Sequence, residues 1–346
     1  MTAFSCPLPL RRNEAILLGH GSGGTLSAEL LRDIILPSFA NPVLNRLEDQ
    51  ATFEVNGARL AFTTDSFVVK PLFFPGGDIG SLSVHGTVND LAMGGAAPRF
   101  LSVSFILEEG FPIADLRRIA VSIGAAAKLC GVAVVTGDTK VVERGCGDGV
   151  FINTSGIGVV PEGVHISASN ARRGDSVILS GAIGDHGIAI LSQRDGLELE
   201  TQVESDSAPL HTLVQAMLDV TRDIHCLRDP TRGGVASTLN ELASQSGAGI
   251  LIEEDMILVR EGVRGVCELL GLDPLYVANE GKLMAVLPAA HADAVLQAMR
   301  THPLGRDAAI VGTVTDSNPG LVLMRTAFGT TRIVSMLAGD QLPRIC

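Results

Sequence analysis

Four aspartates in this 346-residue chain share a setting: Asp65 (TTDSF), Asp90 (VNDLAMGG), Asp138 (TGDTK) and Asp229 (RDPTRGG). Each borders an apolar run and keeps Gly or Thr close by. Carboxylates dispersed like this are the donors that hold a hard cation such as Mg2+ between a protein and nucleotide phosphates. Any one of them also suits a cap or a turn, but all four have small neighbours that would let a bulky ligand approach. Several carboxylates meeting in one site repel strongly unless a cation neutralises them. Lys140 follows Asp138 by two residues, so on an extended segment both point to one face. Its ammonium would reach a phosphate, act on a carbonyl or remain solvated. Glu280 (VANEGKL) reads as a base or a salt-bridge partner, and Asp185-His186 (GAIGDHG) as a phosphate or catalytic pair or a turn.

Gly19-His20-Gly21-Ser22-Gly23-Gly24 matches G-x-G-x-x-G. The dinucleotide version expects an acid about 20 positions on, at a strand end. Glu48 and Asp49 lie beyond that, after a stretch that is no clear strand. Thr25 stands where a Walker A loop needs Lys. A backbone cradle for phosphate at a helix N-terminus, or a plain tight turn, remains. The chain ends in LPRIC, with Cys346 last. Prenylation needs Cys fourth from the end, which excludes it here. A terminal thiol is either a frayed end or a carrier that swings a thioester-like group between sites, on an arm stiffened by Pro343. Cys130, Cys146, Cys226 and Cys267 read as ordinary buried or loop cysteines.

Position for these groups must come from the surrounding elements. AILL (15–18) suggests a strand into the Gly-rich turn, then a helix with Leu26, Leu30, Leu31, Ile34 and Ile35 on one stripe. ARLAFTT (58–64), RFLSVSFIL (99–107), VAVVT (132–136) and VFINTSGIGVV (150–160) read as strands, and 81–98 as a buried helix carrying Asn89 and Asp90. Pro112 opens a further helix closed by Gly131. After a polar, turn-rich stretch at 161–174, DSVILSG restarts a second strand-and-helix unit. The predicted fold is α+β: two α/β domains with mixed sheets and helices on one face of each. The expected divisions are 1–40 (Gly-rich segment and helix), 41–165 (nucleotide-binding and dimerisation domain), 166–330 (C-terminal α/β domain) and 331–346 (flexible tail).

Composition narrows the function classes. With 26 basic against 38 acidic residues the net charge is −12, and no basic cluster is present to neutralise phosphates. One Tyr and no Trp leave no stacking surface for nucleic acid. No apolar run approaches the roughly 20 residues of a membrane span. The six cysteines contain no C-x-x-C, so neither a disulfide framework nor a zinc site is visible. The opening MTAFSCPLPLRRNEA lacks the layout of a secretory signal, so a cytoplasmic protein is expected.

Together the blocks HGSGG, TTDSF, HGTVNDLAMGGAAP, TGDTKVVERG, GDHG, RDPTRGG, NEGKL and terminal PRIC resemble a known superfamily. It is the ATP-dependent one of aminoimidazole ribonucleotide synthetase, selenophosphate synthetase and thiamine-monophosphate kinase. Within it the chain is similar to the hydrogenase-maturation carbamoyl dehydratases, over essentially its whole length. The resemblance implies a homodimer whose N-terminal strands form a barrel, with ATP bound at that interface. It places nucleotide contacts on His20, Gly21, Ser22, Gly23, Gly24, Asn89 and Asp185, and Mg2+ on Asp65, Asp90, Asp138 and Asp229. It implies that a partner carbamoyltransferase loads Cys346 from carbamoyl phosphate, and that ATP dehydrates the thiocarboxamide to a thiocyanate. Cyanide then passes to iron held by a scaffold complex, for a nickel–iron centre. Lys140 and Glu280 are the base candidates, with His20 and His85 weaker ones. A selenophosphate synthetase would want a reactive Cys beside the Gly-rich segment, which reads HGSGG. A nucleotide-dependent oxidoreductase explains only Gly19 to Gly24. A non-catalytic carrier would present Cys346 without using ATP.

Overall fold

A computed structural model describes residues 15–194, 202–339 and 344–346. The strand expected at 15–18 is not formed; Leu18–Gly21 is a 3-10 turn that satisfies amides locally, His20 N–H donating to Leu17 O at 3.0 Å. A helical run follows as α1 (Thr25–Leu30) and α2 (Leu36–Phe39), with a π segment, Leu31–Ile35, between them.

Period-two patterning then builds an open five-stranded sheet from β1 (Ala51–Val55), β2 (Ala58–Phe67) and, after the short hairpin β3 (Phe73–Phe74) and β4 (Gly77–Asp78), three further strands. Helix α3 (Ile79–Met93) leads to β5 (Ala97–Glu108), and α4 (Ile113–Cys130) connects it to β6 (Ala133–Val142), with β7 (Val150–Val159) completing the set. The order is β1-β2-β7-β5-β6, antiparallel except for β5 beside β6. The Asp78 side chain caps α3 by accepting from Gly80 and Ser81 N–H, a contact typically worth about 1 kcal/mol. Only Ser81 and Asp90 of α3 escape full burial, which explains its lack of a polar stripe.

The register assigns the two faces of this sheet. Asp65, Thr154, Val103 and Gly137 pair in one row across four strands, and Ser66, Asn153, Ser104 and Asp138 in the next. Adjacent rows point to opposite faces. The first row faces α3, where Thr154 and Val103 are buried. The second faces away from the helices. Among the described residues β1 and β6 are free edges, and no barrel closes within one chain.

The second unit comprises β8 (Asp175–Leu179), α5 (Asp185–Ser192), α6 (His211–Val220), β9 (Cys226–Arg228), α7 (Gly234–Ser246) and β10 (Gly249–Glu253). It continues with α8 (Glu261–Leu270), β11 (Met284–Pro288), α9 (Ala289–Thr301), β12 (Ala309–Thr315), β13 (Val322–Arg325) and β14 (Thr331–Val334). Its mixed sheet runs β14-β13-β10-β12-β8-β11-β9. Here the expectation of helices on one face fails. Val177 and Leu179 pack with Val235, Leu239 and Leu242 of α7, whereas Ile178 packs with Met217 of α6 and Met299 of α9. A sheet covered on both sides needs continuous rather than alternating apolar strands, which is how DSVIL reads.

The α6–α9 layer also takes in Leu91, Ala92 and Met93 of α3, so the two units share one core. The flexible tail expected over 331–346 is corrected at both ends. Residues 331–334 are strand β14, and residues 344–346 dock against the first unit, where Ile345 and Cys346 are buried with Ile79 and Ile190. Non-local pairing, described below, holds them there. The stiffening assigned to Pro343 lies outside the described residues, as do 1–14. Among the described residues no helix is long and apolar enough to cross a membrane.

Candidate active site

The docked terminus and three of the four aspartates meet between the two units. Asp65 lies near the end of β2, with its carboxylate accepting from Ser66 N–H at 2.7 Å. Asp90 sits on the last turn of α3, accepting from Thr63 Oγ1 at 2.8 Å. Asp229 follows β9, and Glu280 precedes β11 in a fully engaged backbone: its N–H donates to Asp206 Oδ1 (3.0 Å) and its carbonyl accepts from Asn89 Nδ2 (3.2 Å). Glu280 Oε1 is buried and has no hydrogen-bond partner.

Their electrostatics are those of crowded, desolvated acids. Burial pushes the Asp90 carboxyl well above the usual range, and Asp229, Asp65 and Asp49 push it further. Asp229 is raised to about 8 by burial and by Asp49. Asp65 is raised by burial, opposed by the Arg232 guanidinium. Glu280 is raised well above its ordinary value by burial, then by Asp229 and Asp65. Burial lifts the Cys346 thiol to about 12, with Arg232 pulling it down and Glu280, Asp65 and Asp229 pushing it up. Five ionisable groups from remote parts of the chain thus act on one another; Arg232 is the counter-charge of Cys346, Asp65, Glu280 and Asp90, and Arg228 that of Asp229. Among the described residues no group of three or more His, Cys, Asp or Glu side chains is arranged to hold a metal ion on its own. The donors are hard oxygens in negative excess, which fits a Mg2+ shared between one or two carboxylates and phosphates rather than caged by protein.

Asp138 and Lys140 stand elsewhere. Both lie exposed on β6, joined to each other at 2.9 Å, on the face turned away from Asp65. Lys140 and Thr139 N–H hold the Asp138 carboxyl below its usual value. The Gly-rich loop reaches the acidic cluster through Arg232, whose Nη1 donates to Gly21 O at 3.0 Å. Three of its own donors are taken by the chain: Gly23 N–H by Ser27 Oγ (3.0 Å), Thr25 N–H by Leu337 O (3.0 Å) and Ser22 Oγ–H by Gly339 O (2.8 Å). His20 Nδ1 accepts from Leu17 N–H at 2.9 Å. Gly24 is required where it stands, because a Cβ would lie 2.3 Å from Leu337 O.

Sequence profiles of the AIR synthase related proteins match residues 47–160 (N-terminal domain) and 172–323 (C-terminal domain). Carbamoyl dehydratase HypE of Azotobacter vinelandii is 58% identical over 97% of this chain and 98% of its own. A solved hydrogenase maturation protein HypE in complex with ATP is 52% identical, covers 96% of this chain and 100% of its own, and superposes with a TM-score of 0.81. HypE solved in a HypE–HypF complex is 49% identical over 89% and 99%, with a TM-score of 0.85. This chain belongs to the HypE carbamoyl dehydratase family.

For a HypE-family chain, two expected nucleotide contacts have other work in this structure. Both ends of the Asn89 amide are engaged: Nδ2 donates to Ala208 O and Glu280 O, and Oδ1 accepts from Leu210 N–H at 2.7 Å. Asp185 is buried at the start of α5 and ion-paired with Arg260, its carboxyl raised to about 6 by burial against the pull of that guanidinium. Sequence alone gives Asp206 and Arg232 no place in this cluster, and weighs Asp49 only as the acid of a dinucleotide motif. Asp49 is ion-paired with Arg228 beneath Asp90 and Asp229. Asp206 is buried against Lys282 at 3.0 Å. Arg232 lies in RDPTRGG, where a cation beside an acid in a Gly-flanked turn is the available signal.

Proposed function

We propose that this chain is an ATP-dependent carbamoyl dehydratase that carries its substrate on its own terminal cysteine. The observation that carries the reading is the burial of Cys346 against Asp65, Asp229, Glu280 and Arg232. A thiol held near pH 12 is a poor nucleophile. The docked position therefore suits a group already loaded, and loading by a carbamoyltransferase belongs to the undocked tail. A relative solved with HypF supports such a partner.

In the dehydration, the carboxamide oxygen of Cys346–S–C(=O)NH2 attacks the γ-phosphorus of ATP and ADP leaves. The C–O bond then breaks, phosphate departs, and the nitrogen gives up both protons to leave Cys346–S–C≡N. One or two of Asp65, Asp90 and Asp229, together with the nucleotide phosphates, would hold Mg2+, which would supply neutralisation of the charge on the transferring phosphoryl group. Glu280 is the base favoured by position: its buried Oε1 has no hydrogen-bond partner, it acts on the Cys346 thiol, and burial makes its carboxylate a stronger base than an ordinary glutamate. Arg232 faces the thiol and both nearby acids, and holds the sulfur and the Gly-rich loop in one frame. Burial between the units keeps water from an activated imidate.

Asp138 and Lys140 can join this chemistry only from a second copy. Their face of the sheet carries half-exposed Phe62, Ile157 and Phe100 in one row and, six residues further along β5, Ile106 beside Lys140. A homodimer packing through this face would bury that apolar strip and bring one copy's Asp138 and Lys140 toward the other's site. Cyanide release to an iron-carrying scaffold, and a cytoplasmic setting, complete the proposal. The test is ADP formation in the presence of the transferase and carbamoyl phosphate. One ADP per carbamoyl group is expected with Cys346 present and none with Cys346→Ser; unchanged ADP formation in that variant would remove the carrier role.

A further inference from the structure

The tip of the chain is paired along an extended segment. Val68 N–H donates to a main-chain oxygen of Cys346 (3.0 Å), Lys70 N–H to Arg344 O (3.3 Å), and Arg344 Nε–H to Val68 O (3.0 Å). In such pairing the residue between, Ile345, directs its carbonyl the other way. That carbonyl meets His186 Nε2 at 2.8 Å. A carbonyl only accepts, so Nε2 bears the hydrogen and Nδ1 must accept. Its donor is Ser205 Oγ–H at 2.7 Å, and Ser205 Oγ in turn accepts from Ser207 N–H at 3.1 Å. The ring is fully buried and stands edge-on to Phe74, with centroids 5.7 Å apart and planes at 88°. Tautomer, tilt and depth are all fixed, and burial keeps the imidazole neutral.

We infer that His186 is the positioning residue of the dehydration: by fixing the Ile345 carbonyl it sets where the side chain of Cys346, one residue on, stands against Glu280 and Asp229. It acts through the backbone and not on the reacting group. A buried histidine serving packing alone would have no need of a carbonyl 159 residues away. The inference rests on the carrier role of Cys346 proposed above.

Its test uses the full chain and two conservative variants. A glutamine amide nitrogen reaches the place of Nε2, whereas an asparagine amide reaches only that of Nδ1. The first readout is the rate of iodoacetamide modification of Cys346, followed by the mass of the C-terminal peptide. The second is the single-turnover rate of dehydration of a preloaded carbamoyl adduct. His186→Asn is expected to raise modification about ten-fold or more, the equivalent of a buried carbonyl losing its donor. It should slow dehydration with ATP affinity unchanged. His186→Gln should keep both rates close to those of the parent. Ser205→Ala, which frees the ring without removing it, should shift both rates in the same direction as His186→Asn by less. Modification at the parent rate in both His186→Asn and Ser205→Ala overturns the inference. A parent chain that accepts no carbamoyl group refutes the carrier role instead, while the modification rates still decide whether His186 holds the tip.

Discussion

Asp65 and Asp138 stand on the same five-stranded sheet, one on the face that carries the helices and the other on the face left to solvent. Both follow a β-branched run, and both are flanked by small or hydroxyl side chains. Asp65 is raised by desolvation among Asp90, Asp229 and Glu280. Asp138 is lowered by Lys140 and a backbone amide in open solvent. The same carboxylate is thus shifted toward its protonated form among other buried acids on one side and is an ordinary surface ion on the other. A residue's type offers chemistry; the face of the sheet decides whether a single chain can use it.

The largest effect expected on the buried side is from Glu280→Gln. Single-turnover dehydration should fall by about a hundred-fold or more, as for loss of a general base. Carbamoyl loading of Cys346, read by peptide mass, should be unaffected. Equal rates would move the base elsewhere, with Lys140 next in line. The contrast between the faces is tested by complementation. Asp65→Asn and Asp138→Asn are each expected to be inactive alone. Mixed and re-equilibrated, they should regain about a quarter of the parent activity if each site draws Asp65 from one copy and Asp138 from the other across a two-fold interface. No recovery from two variants that are each inactive alone would contradict the shared site, and an active Asp138→Asn would keep Asp138 out of the chemistry.

Asp229→Asn sharpens the electrostatic half of the comparison through stability. The folded-state pKa near 8 lies above the ordinary value of 3.8, so the folded protein binds the extra proton between those values. Stability therefore declines as pH rises from about 4 to 8. The amide removes that decline, and thermal melting at pH 8 should rise by about 2–4 °C for each kcal/mol of repulsion relieved. A pH profile identical to the parent's would contradict the assigned burial. The smallest effect is expected from Arg344→Ala. Its ion pair with Asp148 is partly exposed, so Cys346 should become only about two- to five-fold more reactive to iodoacetamide.

The elements that pattern alone specifies were legible in the sequence. The buried helix with Asn89 and Asp90, the long strand ending near Asp65, and the continuous apolar DSVIL strand all follow from periodicity and Gly or Pro punctuation. Asp65, Asp90 and Asp229 stood out because small neighbours leave room beside them. What was not legible is long-range. Asp49 lies in a stretch with no regular element and acquires meaning only beside Arg228, 179 residues away. Asp206 is placed by Glu280, whose amide donates to it. The tail reads as free because its anchors are all long-range: backbone pairing with 68–70, Arg344 on Asp148 and His186 on the Ile345 carbonyl join residues far apart in the chain. Asp138 and Lys140 were correctly placed on one face of a strand, but which face is a property of register. The helices on both faces of the second sheet were missed for a related reason: an apolar strand does not announce how many layers cover it.

The most direct test of the central claim is the mass of the C-terminal peptide after the carbamoyltransferase and carbamoyl phosphate have acted, taken before and after Mg-ATP is added. A carbamoyl adduct on Cys346 that loses one water only when ATP is present is the predicted result. An adduct that persists while ATP is hydrolysed would contradict it, leaving a carrier whose dehydration takes place elsewhere.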